Sequence, residues 1–221
     1  KPEESSQGTV AGTVKRGKIT WLDPKGESSL EYVEGAVQTD RASFAELWEV
    51  KKSIPQIKNR FGLFLKRFEA TFGAKYKFAD RNSYQLPKHV VENLELFKRV
   101  AEDVRKRTPA GSDYSMFHLN MYTGGNVGIP PHADDEPELE GGMPIYGYTF
   151  LDDPTAPRGF QVYEKDGKTL VHEVFLGDAS LIIMNGKMQK RFLHAVKASQ
   201  AKKFEGKRRV SITVRAVAKE E

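Results

Sequence analysis

Arg209-Val-Ser-Ile-Thr-Val-Arg215, near the end of the chain, alternates strictly between two kinds of side chain. Successive residues of an extended strand point to opposite faces, so Arg209, Ser211, Thr213 and Arg215 share one face and Val210, Ile212 and Val214 the other. The aliphatic face reads as core. The other is unusual, because two arginines among small hydroxyl residues are costly inside a barrel unless an anion pairs with them. Steps of about 3.3 Å per residue put the two α-carbons roughly 20 Å apart, so the guanidinium groups can reach inward to opposite ends of one short dicarboxylate. Arginine suits that task because its planar fork binds a carboxylate through two parallel hydrogen bonds. The competing reading is an edge strand with both arginines in water.

The period of two extends upstream. Ser115–Tyr122, Ile145–Leu151, Gly159–Tyr163, Val171–Leu176, Ser180–Met184 and Leu193–Lys197 are short runs rich in Val, Ile, Tyr and Phe, separated by Gly, Pro and Asp clusters, and Arg209–Ala216 closes the series. Many short strands in one C-terminal half predict an α+β chain with a jelly-roll core, a double-stranded β-helix, over about residues 115–217. Two helices precede it and are expected to pack on one sheet. Val90, Val91, Leu94, Phe97, Val100, Ala101 and Val104 recur at helical spacing and predict one helix over Lys88–Arg105. Ser43-Phe-Ala-Glu46 reads as a capping box opening a short helix that ends before Pro55. Residues 1–16 are polar and without period, so a flexible arm is expected there, with one catalytic domain over 17–221.

Among the five histidines, His132 stands out because Asp134 follows two residues later. In an extended segment both project from one face and can reach a single ion. His194 lies on a later strand, flanked by Phe192 and Val196. Two imidazoles and a carboxylate on one side of a metal leave the opposite positions open, as a non-haem Fe(II) oxygenase requires. Zinc can use the same set for hydrolysis. The arginine strand favours iron, since 2-oxoglutarate is a short dicarboxylate. His89, His118 and His172 have plainer readings as surface or hydrogen-bonded residues.

Composition narrows the field further. The chain of 221 residues has no cysteine, so disulfides, thiolate metal sites and a cysteine nucleophile are excluded. That absence fits an intracellular compartment, cytoplasmic or nuclear. No apolar run reaches the roughly 18 to 20 residues of a membrane span, and no signal peptide opens the chain. The first residue is Lys1, so the chain reads as a part cut from something longer. A formal charge of +5 permits a polyanionic partner, and the basic residues gather in Lys51–Arg81 and Lys187–Arg209.

Taken together, Asn120-Met-Tyr122, His132-Ala-Asp134-Asp135-Glu136, Gly177-Asp178-Ala-Ser-Leu-Ile-Ile-Met-Asn185, His194 and Arg209-Val-Ser-Ile-Thr-Val-Arg215 resemble, in order and spacing, the AlkB-like Fe(II)/2-oxoglutarate-dependent dioxygenases. The resemblance covers about residues 65–217. It implies that His132, Asp134 and His194 bind Fe(II), and that Asn120, Tyr122, Arg209, Ser211 and Arg215 hold 2-oxoglutarate, with O2 as the second co-substrate. Ser211 stands where many relatives carry Asn, and Leu151-Asp152-Asp153 replaces a Ser/Gly-rich turn. The His-Ala-Asp-Asp-Glu run after Pro130-Pro131 also resembles AlkB-like domains inside RNA-virus replication proteins, and so a place in a viral polyprotein.

The resemblance further implies oxidative demethylation of N-methylated bases in nucleic acid, RNA or DNA, with 1-methyladenine and 3-methylcytosine as examples. A methylated base within a duplex cannot reach a buried iron, so a single-stranded or flipped-out substrate is favoured. Arg67-Phe-Glu-Ala-Thr-Phe72-Gly-Ala-Lys-Tyr76-Lys-Phe78 resembles the aromatic hairpin of a nucleotide-recognition lid, over about residues 55–85. Phe72, Tyr76 and Phe78 are then the expected stacking residues, Arg67 with its basic neighbours the phosphate contacts, and Asp135 and Glu136 the groups that position the base. A monomer is expected. Rival readings are an oxygenase acting on a protein or small molecule, and an inactive nucleic-acid-binding module of the same fold.

Overall fold

The computed structural model describes residues 14–58, 61–74, 77–78 and 81–218, with 77–78 and 81–82 described through the backbone alone. In chain order the elements are β1 (Lys18–Trp21), β2 (Ser28–Val33), α1 (Arg41–Glu49), β3 (Arg67–Gly73), β4 (Lys77–Phe78), β5 (Arg81–Asn82), α2 (Lys88–Val91), α3 (Glu95–Arg107), β6 (Met116–Tyr122), β7 (Ile129–His132), β8 (Ile145–Leu151), β9 (Arg158–Glu164), β10 (Leu170–Leu176), β11 (Ser180–Gly186), α4 (Met188–Arg191), β12 (Phe192–Val196) and β13 (Arg209–Arg215). A seven-stranded sheet runs β1-β2-β11-β8-β13-β6-β3 and a four-stranded sheet runs β10-β9-β12-β7.

The alternation of the strands dictates three layers. Val210, Ile212 and Val214 of β13 join Leu119 and Met121 of β6 and Tyr148 of β8 on the outer face of the large sheet. There they meet Phe44 and Leu47 of α1 and Leu96, Phe97, Val100 and Val104 of α3. Burying each such side chain contributes about 1.5–3 kcal/mol. On the inner face Leu30, Ile182 and Met184 oppose Phe160, Val162, Leu176 and Phe192, and the two sheets form the jelly roll. All the strands read from the sequence are present, divided between the sheets.

Some elements differ from expectation. The apolar spacing over Lys88–Arg105 is split into α2 and α3, because Leu94 takes an extended conformation (φ −69°, ψ 123°) and caps the second helix. The spacing spans both pieces because both pack on the same sheet. Helix α1 is capped by Asp40 rather than Ser43: Asp40 Oδ1 accepts from the Ser43 amide at 2.8 Å, and the Ser43 hydroxyl donates to Asp40 Oδ2 at 2.9 Å. The expected capping serine is thus itself capped.

Arg67–Gly73, expected in a lid, is strand β3 at the edge of the large sheet, paired with β6 from Arg67↔Tyr122 to Gly73↔Met116. Gly73 ends it with φ +87°, and a Cβ there would stand 1.8 Å from the Ser115 carbonyl oxygen. Only glycine fits. Beyond it, β4 and β5 pair as a separate hairpin, Lys77↔Asn82 and Phe78↔Arg81. β7, Ile-Pro-Pro-His, occupies an edge of the small sheet, where residues lacking an amide proton are tolerated.

Candidate metal centre

β12 pairs with β7 so that His194 lies directly opposite His132, and the imidazole centroids are 4.2 Å apart. Asp134 follows just beyond the end of β7. His132 Nε2 lies 3.7 Å from Asp134 Oδ1, and His194 Nε2 lies 3.9 Å from Asp134 Oδ2. A first-row ion bonded at about 2.1 Å to each ligand bridges atoms up to about 4.2 Å apart, which covers the His132–Oδ1 pair, and one ligand atom from each of the three residues lies within 4.8 Å of the others. Among the described residues this is the one cluster of three or more His, Asp or Glu side chains with ligand atoms close enough to hold a metal.

Local chemistry prepares each ligand. His132 Nδ1 stands 3.0 Å from the Pro130 carbonyl oxygen. A carbonyl only accepts, so the proton sits on Nδ1 and Nε2 presents its lone pair to the ion. Burial, and next the neighbouring His132, push His194 down to about pKa 3, so its imidazole is neutral. Burial by itself would raise Asp134, but the charge of Arg215, the two histidines and the Arg215 hydrogen bonds together hold its carboxyl well below the usual range. Arg215 donates to Asp134 Oδ2 through Nη2 at 2.6 Å and Nε at 3.1 Å. Asp134 Oδ1 has no hydrogen bond. One carboxylate oxygen is thus engaged by arginine and the other is open to metal.

The sheet register builds the cavity around this centre. Across β13 and β6, Arg209 pairs with Tyr122, Ser211 with Asn120 and Thr213 with His118. All six line one cavity with His132, Asp134, His194 and Arg215. Arg209 and Arg215 are each 3% exposed, so the water-exposed edge-strand reading does not hold. Arg209 Nη2 donates to Thr149 Oγ1 at 3.0 Å, and its guanidinium lies 4.7 Å from the Tyr122 ring centroid. Its Nε and Nη1, and the Tyr122 hydroxyl, are buried with no hydrogen-bond partner. Unsatisfied buried donors on a cation are costly, and a carboxylate answers that arrangement. The open donors of Arg209 and Tyr122 therefore fit a carboxylate of a diacid held in this cavity.

Sequence reasoning missed several contributors. Gln189 of α4 accepts from the Asp134 amide through Oε1 at 3.0 Å, and its Nε2 donates to Met184 Sδ at 3.3 Å, so it fixes the backbone of the metal carboxylate. His118, read as a plain strand histidine, is buried in the cavity, where burial and then Arg215 hold its pKa well below the usual value. Arg158 is 2% exposed and donates to the carbonyls of Gly124, Gly125, Val127 and Lys197. Burial, with Arg209 nearby, lowers its pKa to about 10. Nothing in local sequence marks these contacts, since each joins distant segments.

The expected substrate residues fare differently. Phe72 points to the helix-covered face, its ring 5.5 Å from Phe97 and 6.1 Å from Phe117, because alternation along β3 puts it opposite the cavity. Phe72 is thus packed against the core and does not line the metal cavity. Arg67 is buried at 9% exposure and lines the metal cavity. Tyr76 lies outside the described residues, as does the side chain of Phe78. Asp135 and Glu136 follow Asp134 into a second cavity of about 410 Å3, which also touches Asp134, Met184 and Arg215. Of the basic run before β13, Lys207 pairs with Asp153 at 2.7 Å and Arg208 with Asp152 at 2.7 Å, which explains the acidic turn that departs from the family pattern.

No curated protein sequence matches the chain. Among solved structures, that of OsALKBH1 superposes with a TM-score of 0.52 over 90% of this chain and 99% of the other, at 16% identity. The likeness at that identity is one of fold. A family model described as the 2OG-Fe(II) oxygenase superfamily matches residues 49–215, a span that contains the metal cluster and the three cavity arginines, Arg67, Arg209 and Arg215. Such enzymes use Fe(II), 2-oxoglutarate and O2, and the chain belongs to the 2OG-Fe(II) oxygenase superfamily.

Proposed function

We propose that this oxygenase demethylates N-methylated bases in single-stranded nucleic acid, with 1-methyladenine and 3-methylcytosine as its substrates. Bound at His132, Asp134 and His194, the iron together with 2-oxoglutarate and O2 supplies the oxidising power that places a hydroxyl group on an N-methyl carbon. One oxygen atom goes to that carbon and the other to succinate, with loss of CO2. The N–CH2OH product breaks its C–N bond to release formaldehyde and returns the base with N–H. No general acid of the protein is needed for that collapse.

The chain's own residues hold and orient. Arg209 and Tyr122 offer donors to the far carboxylate of 2-oxoglutarate, while Arg215 keeps Asp134 ionised and turned so that Oδ1 faces the metal. The observation that carries the substrate reading is the second cavity. It opens off Asp134 and Arg215, has ample room for a nucleobase at about 410 Å3, and is walled by Asp135, Glu136 and Glu140. Bases methylated at these ring nitrogens are cationic, and carboxylates favour a cation. Lys187 and Lys190 stand at the same cavity, where a phosphate backbone can meet them. The segment from Lys51 to Arg67 also supports the reading, with no carboxylate in its sequence and with Phe61 and Phe64 at 72% and 56% exposure.

The test is to incubate the protein with Fe(II), 2-oxoglutarate and matched methylated RNA and DNA oligonucleotides and to quantify nucleosides by mass spectrometry. Loss of 1-methyladenine or 3-methylcytosine with equimolar formaldehyde is expected. Succinate formation that no oligonucleotide stimulates would overturn the nucleic-acid reading and favour a protein or small-molecule substrate.

A further inference from the structure

Asn120 occupies the middle of the cavity wall, between Ser211 on β13 and Glu69 on β3. Its Oδ1 accepts from Arg67 Nε at 3.1 Å, and Arg67 Nη2 donates to Glu69 Oε2 at 2.8 Å. Arg67, Asn120 and Glu69 are 9%, 5% and 2% exposed. A guanidinium carries donors and no acceptor, so the carboxamide beside it must turn its oxygen toward Arg67. Its NH2 is then the end left for the cavity that Asn120 lines. In most proteins the two ends of an asparagine are assigned from their neighbours, and here the neighbour permits one choice.

We infer that Arg67 is a positioning residue that locks the Asn120 carboxamide with its NH2 toward the co-substrate. The inference rests on the reading of this cavity as the 2-oxoglutarate site. The dianion of 2-oxoglutarate presents acceptors alone, so an NH2 attracts it and an amide oxygen repels it. Among the described residues Glu69 matches the charge of Arg67 and Asp134 that of Arg215, which leaves Arg209 to supply the net positive charge. The Arg67–Glu69 pair therefore acts on affinity through the direction of one amide dipole. The buried, cavity-facing side of β3 thereby serves the co-substrate.

The experiment is calorimetric titration of N-oxalylglycine, an unreactive diacid of the same acceptor pattern, into protein loaded with Mn(II). Arg67→Met combined with Glu69→Met removes the ion pair without stranding a buried carboxylate. It is expected to weaken binding about tenfold, which converts to about 1.4 kcal/mol, while circular dichroism stays that of the parent. Asn120→Ala is expected to weaken binding by a similar factor, and the triple variant no further, because both changes remove the same oriented donor. In turnover, KM for 2-oxoglutarate should rise with kcat at saturation held.

Wild-type affinity in the folded double variant, or losses that multiply in the triple variant, would overturn the inference. Where the double variant fails to fold, Arg67→Lys carries the test, since one ammonium cannot serve Glu69 and Asn120 in the fork geometry: a three- to fivefold loss supports the role and unchanged affinity refutes it. If Asn120→Ala leaves the affinity intact, the assignment of the diacid site itself falls, and the inference falls with it. If Asn120→Ala weakens binding and the Arg67 variants do not, the inference alone falls.

Discussion

Replacing Arg209 with methionine should move stability and ligand affinity in different ways. In the ligand-free protein the guanidinium makes one hydrogen bond, to Thr149 at 3.0 Å, and lies 4.7 Å from the Tyr122 ring centroid, contacts worth about 1 kcal/mol each. Against these stands a buried cation with Nε and Nη1 unsatisfied, whose desolvation costs at least as much. The expected change in unfolding free energy is thus within about 1 kcal/mol of zero, or a gain. The diacid, by contrast, loses a two-pronged charge-assisted contact worth about 3 kcal/mol, or roughly 150-fold in affinity. Urea unfolding with and without N-oxalylglycine and Mn(II) reads both quantities. At a ligand concentration a hundred times its dissociation constant the parent should gain about 2.7 kcal/mol and the variant almost nothing. A variant that loses more than about 2 kcal/mol without ligand, yet binds the diacid normally, would show Arg209 to be a structural cation and refute the reasoning.

Three further outcomes follow from particular contacts. Mn(II) should raise the melting temperature of the parent but not of His194→Ala, read by differential scanning calorimetry; an equal rise in both would place the ion elsewhere. Phe72→Ala should cost about 2–3 kcal/mol by opening the contact with Phe97 and Phe117. Oligonucleotide affinity should be unchanged by fluorescence anisotropy, and its loss without destabilisation would restore Phe72 to the substrate surface. Asp178, whose carboxyl burial raises above its usual pKa, accepts from the Leu151 amide at 2.8 Å, a bond that asparagine keeps. A carboxyl raised on folding gives stability that is full below its unfolded pKa of about 3.9 and is lost as pH rises through the folded value. Asp178→Asn should therefore match the parent near pH 3.5 and exceed it at pH 7 in urea midpoint, and an advantage confined to acid pH would reverse the assignment.

Much of the centre was legible because its chemistry is periodic. The alternation of Arg209–Arg215 fixes which side chains share a face wherever the strand lies, and the i, i+2 spacing of His132 and Asp134 works in the same way. That His194 faces His132 depended on the pairing of β12 with β7, which spacing leaves open. β3 illustrates the limit. Arg67, Glu69 and Thr71 alternate with Phe68, Ala70 and Phe72 equally well in a lid hairpin and in a sheet edge, and only pairing with β6 decides that the phenylalanines meet the helices. Gln189 and Arg158 were silent for another reason: a glutamine on one turn of helix and an arginine opening a strand have many solvated uses, and their partners here come from remote segments.

Pro130 and Pro131 give the small sheet a border with a chemical sense. An ordinary outer strand displays a row of amide protons to which a foreign strand can zip, the route to domain swapping and fibrils. Two consecutive prolines remove the outward donor whichever of them faces away from β12, at the segment that ends in His132. The metal-bearing margin of the protein is thereby poor at recruiting copies of itself or passing peptides, and a catalytic histidine can sit at a sheet boundary without making that boundary adhesive.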